Sequence, residues 1–156
     1  MAQIYSTSFG WVRAHPVKCK GVAHETLSIM FHRDGVSPTM VTDGSKEQTL
    51  GDFQQKKPWE AGCHPRVTEP YSPWQQAAEG CIRKVKRGPS CKMISTGSPK
   101  PLWDHCLELE ALVRSCTCND IYMTTGQVSE TIMTGSTADI SHIAEFWLVR
   151  LGNVPG

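Results

Sequence analysis

The sequence predicts one mixed α/β domain, in which helices cover the faces of a mixed sheet. Its 156 residues suit one domain that buries most of the surface exposed by the unfolded chain. Short β-favouring runs alternate with longer stretches whose apolar residues recur at helical spacing. The predicted order is strand, strand, helix, strand, helix, strand, helix, helix, which is typical of this class.

Charge, hydropathy and cysteine content limit the classes of function that this protein can have. Lys and Arg number 16 against 15 Asp and Glu, so binding to nucleic acid would require basic charge concentrated on one surface. No window reaches the roughly 18 apolar residues of a membrane span, and the N-terminus lacks a signal pattern, so we expect an intracellular protein. Seven cysteines favour reduced thiols over a disulfide framework, and none has zinc-finger spacing.

The sequence of the first half of the chain predicts a β-hairpin, a helix and a strand. The stretch "AQIYSTSFGWVRAHPVK" forms the hairpin, turning at Phe9-Gly10, and the helix runs from Gly21 to Asp34-Gly35. The stretch "TMVTDG" then predicts a brief, mostly buried strand that carries Asp43 at its carboxyl end. Acidic residues are depleted within strands, whereas strand ends at a sheet edge are where sites form.

The middle of the chain predicts a polar helix, a strand and a well-marked helix. Pro58 should kink or end the polar helix "KEQTLGDFQQKKPWEAG", and "CHPRVTEP" is the strand. In "YSPWQQAAEGCIRKVKRG", Ser72 as N-cap, Pro73 at the first helical position and Gln75 form a capping-box pattern. Periodicity then assigns a core face of Ala78, Ile82 and Val85, and a neighbouring stripe of Glu79, Arg83 and Lys86 with Glu79 at its border.

A last helix follows the loop "STGSPKP". Apolar residues recur along it at Leu102, Cys106, Leu109 and Val113, with Trp103 and Leu107 widening the stripe, which is typical of core packing. From Asn119 onward the chain is polar and Thr-rich, and we expect loops and a frayed end.

Four segments together resemble the integrase catalytic core of long-terminal-repeat retrotransposons, most closely the copia-type branch: "VTDGSKEQT", "TEPYSPWQQAAEG", "PLWDHCLELEALVRS" and "SETIMTGSTADIS". The resemblance covers Gln3 to Phe146. It implies a ribonuclease-H-like mixed sheet flanked by helices, with residues 1–146 forming a partial catalytic core. Proteins of this family join element DNA to target DNA, act as multimers and work in the nucleus.

The resemblance also implies a site. The family uses three carboxylates around two divalent metals, and the match makes Asp43 the second acid and Glu79 the third. Mg²⁺ or Mn²⁺ prefers such oxygen ligands, and two ions can activate the attacking oxygen and stabilise the leaving one. Basic residues after the third acid hold DNA in the family, and here they are Arg83, Lys86 and Arg87.

The chain also departs from the family pattern. The family's first acid lies on a strand before the hairpin, and Met1 falls within that hairpin, so we expect the first strand and its acid to be missing. Asp34 and Asp52 are not plausible replacements. We therefore expect weak metal binding and no activity as the chain stands. Pro58 and Pro89 should mark earlier helix ends, and Gln76-Ala77 replaces the family's Asn-Gly pair.

Three functions stay open at this stage. The first is an integrase core or its relic. The second is a non-catalytic module that binds nucleic acid or an integrase partner. The third is a decayed reading frame without selected function. The expected loss of the first strand argues against the first function, and the nucleotide sequence upstream of Met1 would show how that strand was lost.

We predict that a one-base insertion produced the ending "FWLVRLG". A family-like Phe-Gly-Trp-Tyr-Asp-Trp-Val, encoded TTT GGT TGG TAC GAC TGG GTA, becomes Phe-Trp-Leu-Val-Arg-Leu-Gly when a T follows the first codon, which matches Phe146 to Gly152. Residues 147–156 would then be an unstructured tail. Sequencing the locus checks this, because the shifted frame should continue into integrase-like sequence; its absence there would contradict the prediction.

Overall fold

The computed structural model describes residues 1–19, 23–42, 57–67, 73–117 and 120–141. It divides into two compact units: residues 1–3 with 15–80, here called the strand unit, and residues 4–14 with 81–156, here called the helical unit. The elements are β1 (Ala2–Ser6), β2 (Val12–Pro16), α1 (Ala23–Asp34), β3 (Thr39–Thr42), α2 (Lys57–Glu60), β4 (His64–Val67), α3 (Pro73–Thr96), a 3-10 turn (Lys100–Leu102), α4 (Trp103–Cys116), α5 (Asp120–Thr125) and α6 (Ser129–Thr134).

Strands β1 and β2 form the predicted hairpin. The N–H of Thr7 donates to the Trp11 carbonyl at 3.0 Å, and the N–H of Val17 donates to the Met1 carbonyl at 2.8 Å, so the strands run antiparallel. Gly10 in the turn has a φ of 82°, a left-handed conformation that glycine adopts without steric cost. The turn lies where the sequence predicted it.

The strand unit contains a parallel pair, β3 and β4, together with α1 and α2. The pairing register runs from Thr39 opposite His64 to Thr42 opposite Val67. Helix α1 buries Leu27 completely and Met30 almost completely, on the face that the apolar spacing predicted. The mixed α/β class is thus confirmed, but the four described strands form two separate two-stranded sheets instead of one mixed sheet.

Three predictions for the strand unit need correction or fall outside the described residues. Strand β3 is not mostly buried, because Thr39 and Val41 are exposed and Thr42 is its one buried residue. Of the predicted polar helix, the described part is helical only over Lys57–Glu60, with Pro58 in its first turn, where a missing N–H costs little. The N-cap Ser72 lies outside the described residues.

Helix α3 is longer than the sequence indicated. It begins at Pro73 as predicted but continues through Pro89 to Thr96, a total of 24 residues, so Pro89 does not end it. Val85 is fully buried and Pro89 is buried, whereas Ile82 is half-buried. A proline inside a helix removes one backbone hydrogen bond, and the packing of this face against α4 offsets that loss.

Helix α4 buries a face that coincides only in part with the predicted one. Cys106, Leu107 and Ala111 are buried together with two polar residues, Glu110 and Ser115. Leu109 and Val113 are only half-buried, and Trp103 is 40% exposed. The apolar repeat therefore located the helix correctly, but its buried face includes a charged residue that apolar periodicity cannot identify.

The segment after Asn119 does not consist only of loops, contrary to prediction. It contains α5 and α6, and α6 ends at Gly135, whose φ of 73° and N–H bond to the Thr131 carbonyl at 2.8 Å form a left-handed C-cap. Ser129 is fully buried, and its hydroxyl donates to the Phe9 carbonyl at 2.6 Å. Helix α6 is therefore tied to the hairpin turn.

No helix in the described ranges combines the length and the hydropathy that a membrane crossing needs.

Gly88 should be required for the packing of α3 on α4. A methyl group on Gly88 would overlap the buried Glu110 side chain, whereas one on Gly80 of the same helix would meet no atom within 4 Å. We expect Gly88→Ala to lower the free energy of unfolding by about 1–3 kcal/mol through overpacking. We expect Gly80→Ala to raise it by about 0.5–1 kcal/mol through helix propensity. Urea unfolding measures both, and equal effects of the two substitutions would contradict this packing.

Candidate nucleic-acid interface

Of the two predicted catalytic acids, Glu79 is described and Asp43 lies outside the described residues. Thr42, which precedes Asp43, is the buried last residue of β3 and pairs with Val67, the last residue of β4. The carboxyl ends of parallel strands meet at one sheet edge, the place where α/β folds form sites. The chain leaves β4 at that edge and enters α3 at Pro73.

Glu79 is the seventh residue of α3, and its side chain is exposed. The sequence predicted Glu79 at the border of the buried face of this helix. In the structure it lies on the solvent-exposed side instead. No described residue forms an ion pair with its carboxylate. A carboxylate oxygen is the type of ligand that a hard cation prefers, and the predicted partner of Glu79, Asp43, lies outside the described residues.

The predicted DNA-binding residues lie on the exposed face of α3. Arg83, Lys86 and Arg87 are exposed, and no described carboxylate pairs with them. Since residues spaced by three, four, seven or eight share a helix face, these three side chains lie on the same face as Glu79. We call this set, Glu79 with Arg83, Lys86 and Arg87, the α3 stripe.

Positive charge is concentrated along this part of α3. Between Cys81 and Thr96 the sequence has five cations and no acid: Arg83, Lys84, Lys86, Arg87 and Lys92. Lys92 is neutralised by Glu110 at 2.6 Å, and the other four are exposed. The near-neutral chain thus has the local excess of basic charge that binding to nucleic acid requires.

The face of α3 opposite the stripe is anchored by Glu110 of α4. Glu110 is 5% exposed, and its carboxylate lies over Gly88 and is held by Lys92 at 2.6 Å and Arg114 Nε at 2.9 Å. The Arg114 Nε–H is not directed at the oxygen, so we regard this contact as an ion pair and not as a hydrogen bond. Two cations around one buried carboxylate offset its desolvation.

A second carboxylate, the half-buried Glu130 of α6, joins that helix to the hairpin. One oxygen accepts from Arg13 Nη2 at 2.7 Å, and the other accepts from the Trp11 indole N–H at 2.9 Å. The Arg13 guanidinium lies 4.6 Å above the Trp11 ring centroid, which adds a cation–π contact. Sequence reasoning missed this cluster because it expected loops there, although Gly135 after a short Ile-Met run is a helix stop signal.

The Glu130 cluster also affects a thiol. Burial raises the pKa of Cys116, Glu130 raises it further, and Arg13 partly opposes both. In the same unit, burial raises the pKa of Cys81, while Arg114 and Lys84 partly offset the increase. By contrast, the Cys91 thiol is exposed. Among the described residues, no three His, Cys, Asp or Glu side chains gather into a metal-binding group.

Comparison with known proteins shows a similar fold but no matching protein family. No protein-family profile matches the chain, and no curated protein matches it. Among solved structures, the chain is similar to the catalytic core domain of BIV integrase, with a TM-score of 0.63 and 14% sequence identity. The match covers 93% of this chain and 95% of that one, so the chain shares the overall fold of an integrase catalytic core. The copia-type branch stays a prediction from the sequence.

Glu130→Gln should loosen α6 and make Cys116 more reactive. The amide cannot neutralise the buried Arg13, so we expect the free energy of unfolding to fall by about 1.5–3 kcal/mol. Because the carboxylate that raises the pKa of Cys116 is removed while Arg13 remains, that pKa should fall and the thiolate fraction at pH 8 should rise. Mass spectrometry of iodoacetamide-treated protein measures the Cys116 alkylation rate.

Glu108→Gln is the matched control, since Glu108 is exposed on α4. It should change neither the unfolding free energy nor the Cys116 alkylation rate. Equal alkylation in Glu130→Gln and the unmodified chain would show that Glu130 does not control this thiol.

Proposed function

We propose that this chain is an integrase-type core that binds DNA through the α3 stripe. The observation that carries the proposal is the row of exposed cations, Arg83, Lys86 and Arg87, which follows an exposed acid on one continuous helix. An integrase-core fold supports this reading, because the row lies on a long helix of such a fold. Phosphate oxygens are the natural partners of exposed Arg and Lys.

The reaction class that fits these residues is metal-dependent polynucleotidyl transfer for a copia-type retrotransposon. The sequence segments around Asp43, Glu79 and Leu102 support that branch, and the fold likeness to an integrase core agrees with it. Such a protein would act on DNA in the nucleus and assemble as a homo-oligomer.

Glu79 and Asp43 would hold Mg²⁺ or Mn²⁺. When bound, the metal supplies Lewis-acid stabilisation of charge on phosphoryl oxygens. The contribution of the chain is to present the Glu79 carboxylate on the solvent face of α3, where no described cation forms an ion pair with it. The following cations would orient the phosphate backbone along the same helix.

A non-catalytic DNA-binding module is the second candidate. It is favoured by a specific observation: the cations of the α3 stripe can contact phosphates without any metal, since none of them is engaged by a described carboxylate. A net charge of only +1 limits the affinity of either candidate, because cations away from the stripe are balanced by acids.

We expect the α3 stripe to control the salt dependence of DNA binding. Replacing Arg83, Lys86 or Arg87 by Ala should reduce the slope of log affinity against log salt by about 0.9 for each phosphate that the variant no longer neutralises. Fluorescence anisotropy with a labelled 20-base-pair duplex across a salt series measures this slope. Lys100→Ala is the charge-matched control, since Lys100 is exposed but lies outside α3.

A cysteine footprint locates the bound DNA independently. Cys91 is exposed one turn after Arg87, so DNA on the stripe should slow its reaction with a bulky maleimide. Cys19, which is exposed near the end of the hairpin, serves as the reference thiol. If DNA protected both thiols equally, or if the slope did not change in any stripe variant, the α3 stripe would not be the interface.

We expect Glu79 to be required for Mn²⁺ binding. Glu79→Gln should weaken the binding by at least about tenfold, because it removes one of the two proposed carboxylates. Electron paramagnetic resonance of free Mn²⁺ during titration measures the bound fraction. Asp43→Asn should have the same effect, and Glu108→Gln, which removes an exposed acid from α4, should have none.

These variants also separate the two candidate functions. Strand transfer that is lost in Glu79→Gln and retained in Glu108→Gln would identify an enzyme. Salt-sensitive DNA binding without Mn²⁺-dependent strand transfer would identify the binding module. Unchanged Mn²⁺ binding in both Glu79→Gln and Asp43→Asn would remove the metal assignment.

A further inference from the structure

Ser90 lies on the face of α3 that carries the cations of the α3 stripe. It follows Lys86 by four residues and Arg83 by seven, and residues at these spacings share one face of a helix. Because a helix turns once in about 3.6 residues, the direction of Ser90 falls between those of Lys86 and Arg87. Its side chain is exposed, as are those of the three cations. Ser90 is therefore placed near the middle of this face.

The polar row on this face has a defined length. It ends at Ser90, because Ile94, four residues later, is 82% exposed and has no donor for a phosphate. At a rise of about 1.5 Å per residue, Arg83 and Ser90 are roughly 10 Å apart along the helix axis. One DNA strand carries a phosphate for about every 3.4 Å of duplex axis, so a row of this length faces more than one phosphate.

Serine has a suitable group for a phosphate contact. Its hydroxyl donates to oxygen acceptors, and serine is among the residues that contact phosphates in protein–DNA complexes. The hydroxyls of Ser95 and Thr96 donate to the Lys92 carbonyl of their own helix, each at 2.9 Å. Within the described residues, the exposed Ser90 hydroxyl has no such acceptor. It can therefore bond to an external phosphate oxygen without giving up a bond inside α3.

We propose that Ser90 is a further DNA-binding residue, whose hydroxyl donates to a phosphate oxygen beside the phosphates that the cations contact. This inference rests on the DNA binding proposed for the α3 stripe and adds a neutral contact to it. A cation that neutralises a phosphate releases a bound counterion, whereas a hydroxyl releases none. Ser90 therefore contributes to the affinity for DNA but not to the salt dependence of that affinity, which distinguishes its role from that of the cations.

Two serine-to-alanine substitutions in one helix test this role. Ser90→Ala should weaken binding of the labelled duplex by about three- to tenfold at each salt concentration, with the slope of log affinity against log salt unchanged. Ser95→Ala should change neither quantity, because Ser95 lies five residues further on, on nearly the opposite side of α3. Alanine favours a helix more than serine does, so a loss of affinity in Ser90→Ala would not come from unfolding of α3.

A conservative substitution provides the rescue. Ser90→Thr keeps a hydroxyl at this position, so its affinity should lie within about twofold of that of the unmodified chain. Three results would overturn the proposal. They are an unchanged affinity in Ser90→Ala, a Ser90→Thr variant that binds as weakly as Ser90→Ala, and a slope that falls in Ser90→Ala by as much as in Arg87→Ala.

The cation variants separate this inference from the function on which it rests. Reduced slopes in Arg83→Ala and Lys86→Ala, together with an unchanged affinity in Ser90→Ala, would leave the α3 stripe as the DNA interface and remove Ser90 from it. Unchanged slopes in every cation variant would remove both the interface and the role of Ser90.

Discussion

The contact between the Glu110 carboxylate and Gly88 fixes the orientation of α3, and the arrangement of the helical unit depends on it. A glycine is needed at that point because any side chain would overlap the buried acid. Val85 and Pro89 are buried on the same face of the helix as Gly88, and the Pro89 carbonyl accepts a hydrogen bond from the Cys106 thiol of α4. Once this face is set, the geometry of a helix leaves Arg83, Lys86 and Arg87 no position except the solvent side.

Directional polar contacts hold the helical unit together to an unusual degree for so small a core. Glu110 joins α3 to α4, Glu130 joins α6 to the hairpin, and the Ser115 hydroxyl accepts the N–H of Val12 at 2.8 Å. Buried ions cost several kcal/mol when they lose their partners, whereas an apolar contact tolerates small displacements. These contacts therefore fix the relative positions of the elements in the helical unit. A substitution of one partner removes the charge or hydrogen bond that stabilises the other partner.

Local signals in the sequence predicted the positions of the helices and strands better than they predicted which face of each element is buried. Pro73 marked the start of α3 because proline suits the first turn of a helix, and Gly10 marked the hairpin turn. Pro89 was wrongly predicted to end α3. Local sequence disfavours proline inside a helix, but packing against α4 stabilises the helix there. Helical spacing predicts the contact of Glu110 with Arg114 four residues later, but Lys92 comes from α3. Glu110 could therefore not be identified as buried, because only the folded chain brings Lys92 to it.

The same limit applies to the candidate site and to the C-terminal segment. The family resemblance proposed roles for Glu79 and the three cations after it. Because one helix carries all four residues, helical periodicity places them on one face. Helix α6 was missed because six residues hold too little apolar surface to show a period. Its stability comes from Trp11 and Arg13, which lie more than a hundred residues earlier in the chain.

Pro65 limits how the β3–β4 sheet can be extended on one side. The His64 N–H donates to the Pro38 carbonyl of the neighbouring segment, so the backbone of the next residue, Pro65, faces away from β3. Proline has no N–H to donate, and within sheets it is confined to edge strands and bulges. A strand added along that side of β4 would therefore lack one hydrogen bond of the ladder at Pro65.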